Sequence, residues 1–547
     1  MTKTAKINIL LFEIGGNMEN SAKKIARSTF AIVFFALIGK ILGLYREIKI
    51  ASIFGSGIEK DAFTLSQSAT AIISALITAA IATTFIPGLQ RMEMELGEGH
   101  KLKYTNNMLS TVTIISGLVT IIGIVFAKYV SMLTAFLAPE ETFNLTVILT
   151  KVGMPVMIFS AIVGVFTGFL QYQGRFAAAG AIAIPLNIVY IVYLEIFANH
   201  KGVIGLTVAG VLGILAQIIF LLPDAIKEGY RPQLVVNFRD KYVKEALILS
   251  IPVLISTSIN DLNVIVNRTI AGGLGKGAPS NLDYANKLNL MILGIFITAI
   301  TAIIFPILSR EFGSGNMIHG KRVMNAGIKT VLFITVPATV GLIILARPFV
   351  DIVYLRGRFT LEDAREVTST LRCYTIALIS ISVSNVLNRV YYSLHDTKTP
   401  FVIGAINVVV NVLLNLLVAH KFGIQGLASS VSIATTIAVF ISFVLLKKKI
   451  GNLGTKSYVR ALIKTIMASF VLGIICLAYF PLEAPVVAVL GGILGARIAK
   501  LFLLLALVVL AMIAYAGTLY ILGVREIKDL VKIAKLRMAE RKNKKQK

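Results

Sequence analysis

Charge is scarce in this chain. Only 15% of its 547 residues are Asp, Glu, Lys or Arg, against 56% hydrophobic residues, and a soluble protein of that length needs far more charge to cover its surface. Cysteine is nearly absent. Cys373 and Cys476 both lie in apolar runs, form no CxxC pair and exclude a disulfide framework; they read as small buried hydrophobes. Five scattered histidines offer no metal-ligand spacing. No HExxH, GxSxG or kinase-like constellation occurs. GGLGKGAPS at 272–280 lacks the GxxxxGK[ST] spacing of a phosphate loop and reads as a flexible turn. With no ATP hydrolysis site and no catalytic constellation, the chain is not expected to be an enzyme. Any energy it uses must come from gradients or from supply and removal of its substrate.

What the chain does have is long apolar runs, recurring from about residue 28 to about residue 523, many beyond the roughly 18 residues that mark a membrane-spanning helix. They are continuously apolar, whereas outer-membrane barrel strands alternate. The expected fold is therefore an all-α polytopic membrane protein with about 14 transmembrane helices. Their expected ranges are 28–45, 61–88, 107–137, 143–170, 177–198, 203–222, 246–271, 283–308, 324–354, 364–393, 400–419, 425–446, 459–480 and 500–523. The first run, from Ser28 to Leu42, lacks a small-residue cleavage site and reads as a retained helix.

The net charge of +27 would suggest nucleic acid in a soluble protein. In a membrane protein the positive-inside rule accounts for it, and no nucleic-acid partner is expected. The N-terminal arm, the segment after span 6 (Lys227, Arg231, Arg239, Lys241, Lys244), Arg310, Lys321 and Arg322 after span 8, Lys447–Lys449 after span 12, and the tail from Arg525 all carry cations. Alternating helices put these segments on one side, which is then cytoplasmic, with both termini there. The opposite segments are poorer in Lys and Arg, and the longest outer loop is expected at about 481–499. In the tail, Leu530, Ile533 and Leu536 recur at helical spacing among cations, which suits a basic helix on anionic headgroups.

Two halves of the chain resemble each other at an offset of about 220 residues. ITAAIATTFIPGLQR (77–91) parallels ITAITAIIFPILSR (297–310), aligning Pro87 with Pro306 and Arg91 with Arg310. GVIGL (202–206) parallels GIQGL (423–427), and Asn187 is matched with Asn411. The expected organisation is a cytoplasmic arm (1–27), an N-lobe of helices 1–6 (28–222), a cytoplasmic linker (223–245), a C-lobe of helices 7–12 (246–446), helices 13–14 (459–523) and a basic tail (524–547). Two pseudo-symmetric six-helix lobes in one chain favour alternating access over a channel.

Ionisable residues inside hydrocarbon are costly, so they face cavities or partners. Lys40 lies within span 1, and Arg46 with Glu47 at its outer end; Lys40 and Glu47, two turns apart, share a face. Asp61 opens span 2, as a binding residue or as its N-cap. Lys287 lies about a turn inside span 8. Cations at these places suit a diphosphate; snorkelling or interfacial pairing is the alternative for each. Span 7 carries Asp261, Asn263, Asn267 and Arg268, and span 11 carries Asn407, Asn411 and Asn415 as one polar stripe. Interhelical hydrogen bonding is the commoner use of such a stripe. A small-cation site formed by Asn267, Asn407 and Asn411 is the other.

The motifs GLYREIKIASIFGSGIEKDAF (43–63), TFIPGLQ (84–90), YANKLN (284–289), IIFPILSREF (303–312), LRGRFTLEDA (355–364) and VYYSLHDTKTP (390–400) occur in an order and spacing that resemble the MurJ (MviN) lipid II flippase family. That family belongs to the multidrug/oligosaccharidyl-lipid/polysaccharide exporter superfamily. The resemblance spans roughly residues 25–450. It implies two six-helix lobes around a cationic cavity that recognises the diphosphate and sugar of lipid II, with helices 13–14 holding the prenyl tail. Arg46 and Asp61 stand at family positions. Glu47 replaces an aspartate, Lys40 and Lys287 replace arginines, and Ser74 stands where the family has an arginine. The family's acidic Na⁺-ligand position is Asn267 here, a departure that bears on the Na⁺ coupling the resemblance implies; no other cofactor is expected. The implied role is translocation of lipid II, an undecaprenyl-diphosphate-linked peptidoglycan precursor, from the inner to the outer leaflet of a bacterial cytoplasmic membrane. A flippase for another polyprenyl-linked glycan and a drug or cation antiporter of the same superfamily are the alternatives. The antiporter should carry acidic cavity residues, where Lys and Arg prevail here. Expected partners are the lipid-linked cell-wall precursor, membrane lipids and cell-wall synthesis enzymes.

Overall fold

The computed structural model describes residues 34–528, apart from the side chains at 98, 251–261, 292 and 295–303. The N-terminal arm 1–27 and the tail from 529, with Leu530, Ile533 and Leu536, lie outside the described residues. Every regular element among the described residues is a helix, as lipid requires of a chain whose apolar runs must satisfy their own backbone hydrogen bonds. By contacts the chain divides into two compact units, Met1–Thr269 and Ile270–Lys547.

The first unit holds α1 (34–54), α2 (Ile58–Leu96), α3 (Lys101–Val125), α4 (Ala127–Ala135), α5 (Glu140–Gly153), α6 (Val156–Tyr172), α7 (Phe176–Ala181), α8 (Ala183–Ile196), α9 (Ala198–Lys227) and most of α10 (Lys241–Gly273). The second holds α11 (Ala278–Gly313), α12 (Met317–Tyr354), α13 (Leu361–Ser393), α14 (Lys398–Ile450), α15 (Thr455–Leu477), α16 (Tyr479–Leu494) and α17 (Ala496–Ile521). Among the described residues nine helical stretches are long and apolar enough to cross a membrane, ten when α5 and α6, bent by 42° at their junction, count as one. The chain is a multi-span membrane protein, and the fourteen spans read from the sequence fit onto its helices.

In the first unit α2 packs on α5 and α6, α3 on α6, and α9 on α6 and α8. Phe85, Leu89, Phe166 and Phe169 fill one core, and Ile50, Phe63, Tyr190 and Leu206 a second. In the second unit α13 lies against α11, α12 and α14, while α12 also packs on α15 and α15 on α17. Many buried hydroxyls return to their own helix. Thr70, Thr146 and Ser430 donate to carbonyls four residues earlier, which makes them tolerable in an apolar helix.

The duplication is visible in the backbone. Gly202 inside α9 adopts φ 55°, ψ −153°, and Gly423 inside α14 adopts φ 55°, ψ −140°. This conformation is open to glycine alone. It breaks α14 where the sequence separates spans 11 and 12, and α9 where it separates spans 5 and 6. One expectation is corrected. The segment taken as the longest outer loop, about 481–499, is largely the helix α16, packed on α17. Its apolar run PVVAVLGGIL continues to gain from lipid-like surroundings, and Gly495 (φ 82°) ends it.

Candidate functional site

In the first unit the turn Gly55–Gly57 joins α1 to α2, with Arg46 and Glu47 in the last turns of α1 before it and Glu59, Lys60 and Asp61 in the first turn of α2 after it. Glu47 on α1 and Lys60 and Asp61 in the first turn of α2 are 6%, 1% and 1% exposed, so their charges are withdrawn from solvent and depend on one another. Arg46 Nη2 donates to Glu47 Oε1 at 2.8 Å, and its guanidinium carbon lies 4.9 Å from the Tyr190 ring centre. Gln67 Nε2 donates to the Tyr190 hydroxyl at 3.3 Å. Lys60 Nζ donates to Thr64 Oγ1 at 2.6 Å and stands 5.7 Å from the Phe63 ring. Glu59 and Asp61, both in the first turn of α2, complement its dipole.

Asp61 is not the N-cap of span 2: Gly57 holds that place, without a side-chain cap. Lys60 escaped the sequence reading, although it stands beside the nominated Asp61 in GIEKDAF. Its burial follows from helical phase, since Lys60, Phe63 and Thr64 share the inward face. Lys40 sits about 9 Å further back along α1, half-buried beside Gly39. There Asn187 Nδ2 donates to the Gly39 carbonyl at 3.1 Å, and a side chain at Gly39 would collide with Ala183. Ser74 is buried.

In the second unit Lys287 pairs with Asp283 at 2.9 Å, one turn earlier on α11. Asn281 Nδ2 donates to Glu366 on α13 at 2.7 Å. The turn 355–360 lies beside this group and is held in three ways. Phe359 plugs between Tyr284 and Tyr354, with ring centres 5.5 and 5.6 Å away. Thr360 and Asp363 form a capping box that starts α13. Arg497 Nη2 donates to the Leu355 carbonyl at 2.8 Å. Arg356, whose Nη2 donates to the Ile352 carbonyl at 2.6 Å, and Arg358 ride on this fixed turn. The sequence reading quoted LRGRF as a motif without nominating either arginine; two cations around a glycine between spans were the available signal.

The second unit also contains an apolar cavity of about 600 Å³ between α12, α15 and α17, lined by Pro337, Leu345, Leu472, Cys476, Leu504 and Met512 among others. At one end the Tyr515 hydroxyl donates to the Phe333 carbonyl at 2.8 Å. Towards the other lie the pairs Arg347–Asp351 (2.8 Å) and Lys500–Glu483 (2.6 Å).

The asparagines differ among themselves. Asn267, in the first unit, turns its amide nitrogen back to Asn263, donating to its carbonyl at 2.8 Å and to its side-chain oxygen. Asn411 and Asn415, in the second, are fully buried, with Asn415 Nδ2 donating to Asn411 Oδ1 at 3.1 Å. Asn407 Oδ1 is buried without a hydrogen-bond partner. The side chain of Asp261 lies outside the described residues.

A family model described as "Lipid II flippase MurJ" matches residues 50–490. The chain belongs to the MurJ family. A "Probable lipid II flippase MurJ" from Vibrio cholerae is 29% identical over 442 residues, covering 78% of this chain and 82% of the relative. Its Bdellovibrio bacteriovorus counterpart, of the same description, is 26% identical and covers 93% and 97% of the two chains. Among solved structures, a lipid II flippase MurJ in an inward closed conformation superposes with a TM-score of 0.74, at 21% identity, over 91% of this chain and 99% of that one. An inward-facing multidrug resistance MATE family transporter of the MOP superfamily gives 0.65, at 15% identity, over 77% and 99%. At those identities the structural matches speak to fold alone: this chain shares its architecture with the solved MurJ and with that MATE family transporter.

Proposed function

We propose that this protein flips lipid II from the inner to the outer leaflet of a bacterial cytoplasmic membrane by alternating access. Membership of the MurJ family over most of the chain carries the reading. The geometry supports it with two complementary features. Arg46 and Lys40 in the first unit, and Lys287 in the second, are each proposed as a cation able to take a phosphate of the diphosphate. Arg46 presents a planar fork and the lysines point charges. Glu47 holds Arg46 and Asp283 holds Lys287, and each cation can exchange its carboxylate for a phosphate. The apolar cavity beside α15 and α17 is the proposed seat of the prenyl tail, whose transfer from lipid into a protein groove costs little because both surroundings are apolar.

The orphan oxygen of Asn407, one turn from Asn411 on the same face, fits a small cation. If transport is Na⁺-coupled, these two residues would help hold the ion, which would supply positive charge inside the second unit. Replacement of Na⁺ by choline in a transport assay tests this.

Rescue of a strain depleted of its own lipid II flippase, with the accumulated intermediate identified by mass spectrometry, tests the main reading. Growth with normal lipid II turnover is expected. Failure to rescue, with another polyprenyl-linked glycan accumulating in the native host on deletion, would replace lipid II by that glycan. The lysines at Lys40 and Lys287 are what favour this second reading.

A further inference from the structure

The segment between α9 and α10 is an extended strap fastened to α3 by two asparagine side chains. Asn106 Nδ2 donates to the Arg231 carbonyl at 2.9 Å, and its Oδ1 accepts the Gln233 N–H at 3.2 Å. Asn107 Nδ2 donates to the Asn237 carbonyl at 3.1 Å, and its Oδ1 accepts the Asn237 N–H at 2.7 Å. Both asparagines are buried, at 1% and 2% exposure, and so act as a two-residue stand-in for a neighbouring strand. Tyr230, itself buried against Phe166 and Phe169, anchors one end. Asp240 anchors the other by accepting the N–H groups of Tyr242 and Val243 at the start of α10.

Because the backbone groups of 231, 233 and 237 face α3, alternation along the extended part gives Leu234 and Val236 one common side-chain direction, and Phe238 follows them at the start of the turn 237–240. The three are exposed at 90%, 46% and 48%. A fixed row of three large apolar side chains in water is unfavourable. Around it the chain from Lys227 to Lys244 carries five cations and two acids. Both acids are committed: Glu228 to Arg175 at 2.6 Å and Asp240 to its cap. The strap follows the membrane-length helix α9, precedes α10 and runs alongside the second turn of α3, and its cations suit the cytoplasmic membrane surface.

We propose that this strap is a binding surface for anionic phospholipid. Leu234, Val236 and Phe238 enter the headgroup boundary, and Arg231 and Arg239, both exposed, contact lipid phosphates. Apolar insertion flanked by cations is the combination that selects anionic over zwitterionic surfaces. The staple by Asn106 and Asn107 means that the first unit holds the strap ready-formed.

The chain contains no tryptophan, so the Leu234→Trp variant carries a single indole at a site exposed enough not to disturb folding. The full-length protein is reconstituted in nanodiscs of phosphatidylcholine and phosphatidylglycerol in which only one lipid is brominated. A second single-tryptophan variant, Leu510→Trp on exposed α17 surface, reports the bulk lipid. The expected result is a blue-shifted emission quenched several-fold more by brominated phosphatidylglycerol than the Leu510→Trp control, falling to the control level when Arg231 and Arg239 are both changed to Gln. Water-like, unquenched emission from Leu234→Trp beside a quenched control overturns the proposal. So does equal quenching by both lipids. Shielding that appears only when an acidic peptide is added would instead make the strap a strand edge for a protein partner.

Discussion

Asp396 and Lys449 form an ion pair of 2.6 Å that ties the turn two residues before α14 to the end of α14. The interval that separates Gly202 from Gly423 also separates Arg175 from Asp396 and Glu228 from Lys449. In the first unit Arg175 and Glu228 pair at 2.6 Å as well. The duplicated scaffold has kept the contact and exchanged the signs. Coulomb attraction is indifferent to which partner is the acid, so one reversal at each position leaves the clasp intact.

The second-unit clasp predicts a pH dependence. Burial would raise the Asp396 carboxyl, but the Lys449 ammonium and the hydroxyl and N–H of Thr399 outweigh it and hold the group at about 2. A depressed carboxyl stabilises the fold above its unfolded value of about 3.9 and loses that contribution as pH falls towards 2. The Asp396→Asn variant should unfold earlier than wild type at neutral pH, by about 1 kcal/mol. The gap should close between roughly pH 4 and pH 2. Thermal unfolding of both proteins in detergent across that range measures it; a gap that is constant with pH would remove the ionic explanation.

Arg46 is the second test. Arg46→Ala should abolish rescue of a flippase-depleted strain. Because that change also strands Glu47, the informative companion is Arg46→Lys, which keeps the charge but loses the fork and the stacking on Tyr190. It should fold as wild type and transport at least about tenfold more slowly. Full activity of Arg46→Ala would exclude Arg46 from substrate handling. Lys287→Arg should act in the opposite sense and raise transport, since it restores bidentate contact.

The apolar cavity can be probed through its own thiol. Cys476 lines it and Cys373 is the other cysteine of the chain. In a Cys373→Ser background methylmercury, a small apolar reagent that enters buried sites, should label the buried Cys476, and a long-chain polyprenyl diphosphate should slow that labelling while a short-chain analogue does not. Equal labelling rates with both compounds would place the tail elsewhere. Ala511→Phe, which fills the same cavity, should weaken transport of the long-chain substrate more than of the short one.

The two hinge glycines make a backbone prediction. At φ 55° with ψ near −150° any side chain is strained, so Gly202→Ala and Gly423→Ala should each lower stability by about 1–3 kcal/mol. Comparable thermal midpoints for wild type and both variants would contradict the geometry.

Much of this protein was legible in one dimension. Hydropathy is a local property, and lipid leaves an apolar run no choice but a helix, so the membrane class and the all-helical fold follow from composition and run length. The duplication could be read from Pro87 and Pro306 and from the two GxxGL segments, since a repeat needs only comparison of the chain with itself. The family motifs nominate Arg46, Asp61 and Lys287 from the sequence alone.

The tertiary structure decided what depends on residues far apart in the chain. It buried Lys60, gave the N-cap of α2 to Gly57 instead of Asp61, and fixed Arg356 and Arg358 through the Phe359 plug. It made α16 a helix against α17 where a loop was expected. It also opened an apolar cavity among α12, α15 and α17, and spent Asn106 and Asn107 on holding a strap more than a hundred residues away. These features turn on helical phase and on long-range packing partners, which hydropathy along a single helix does not specify.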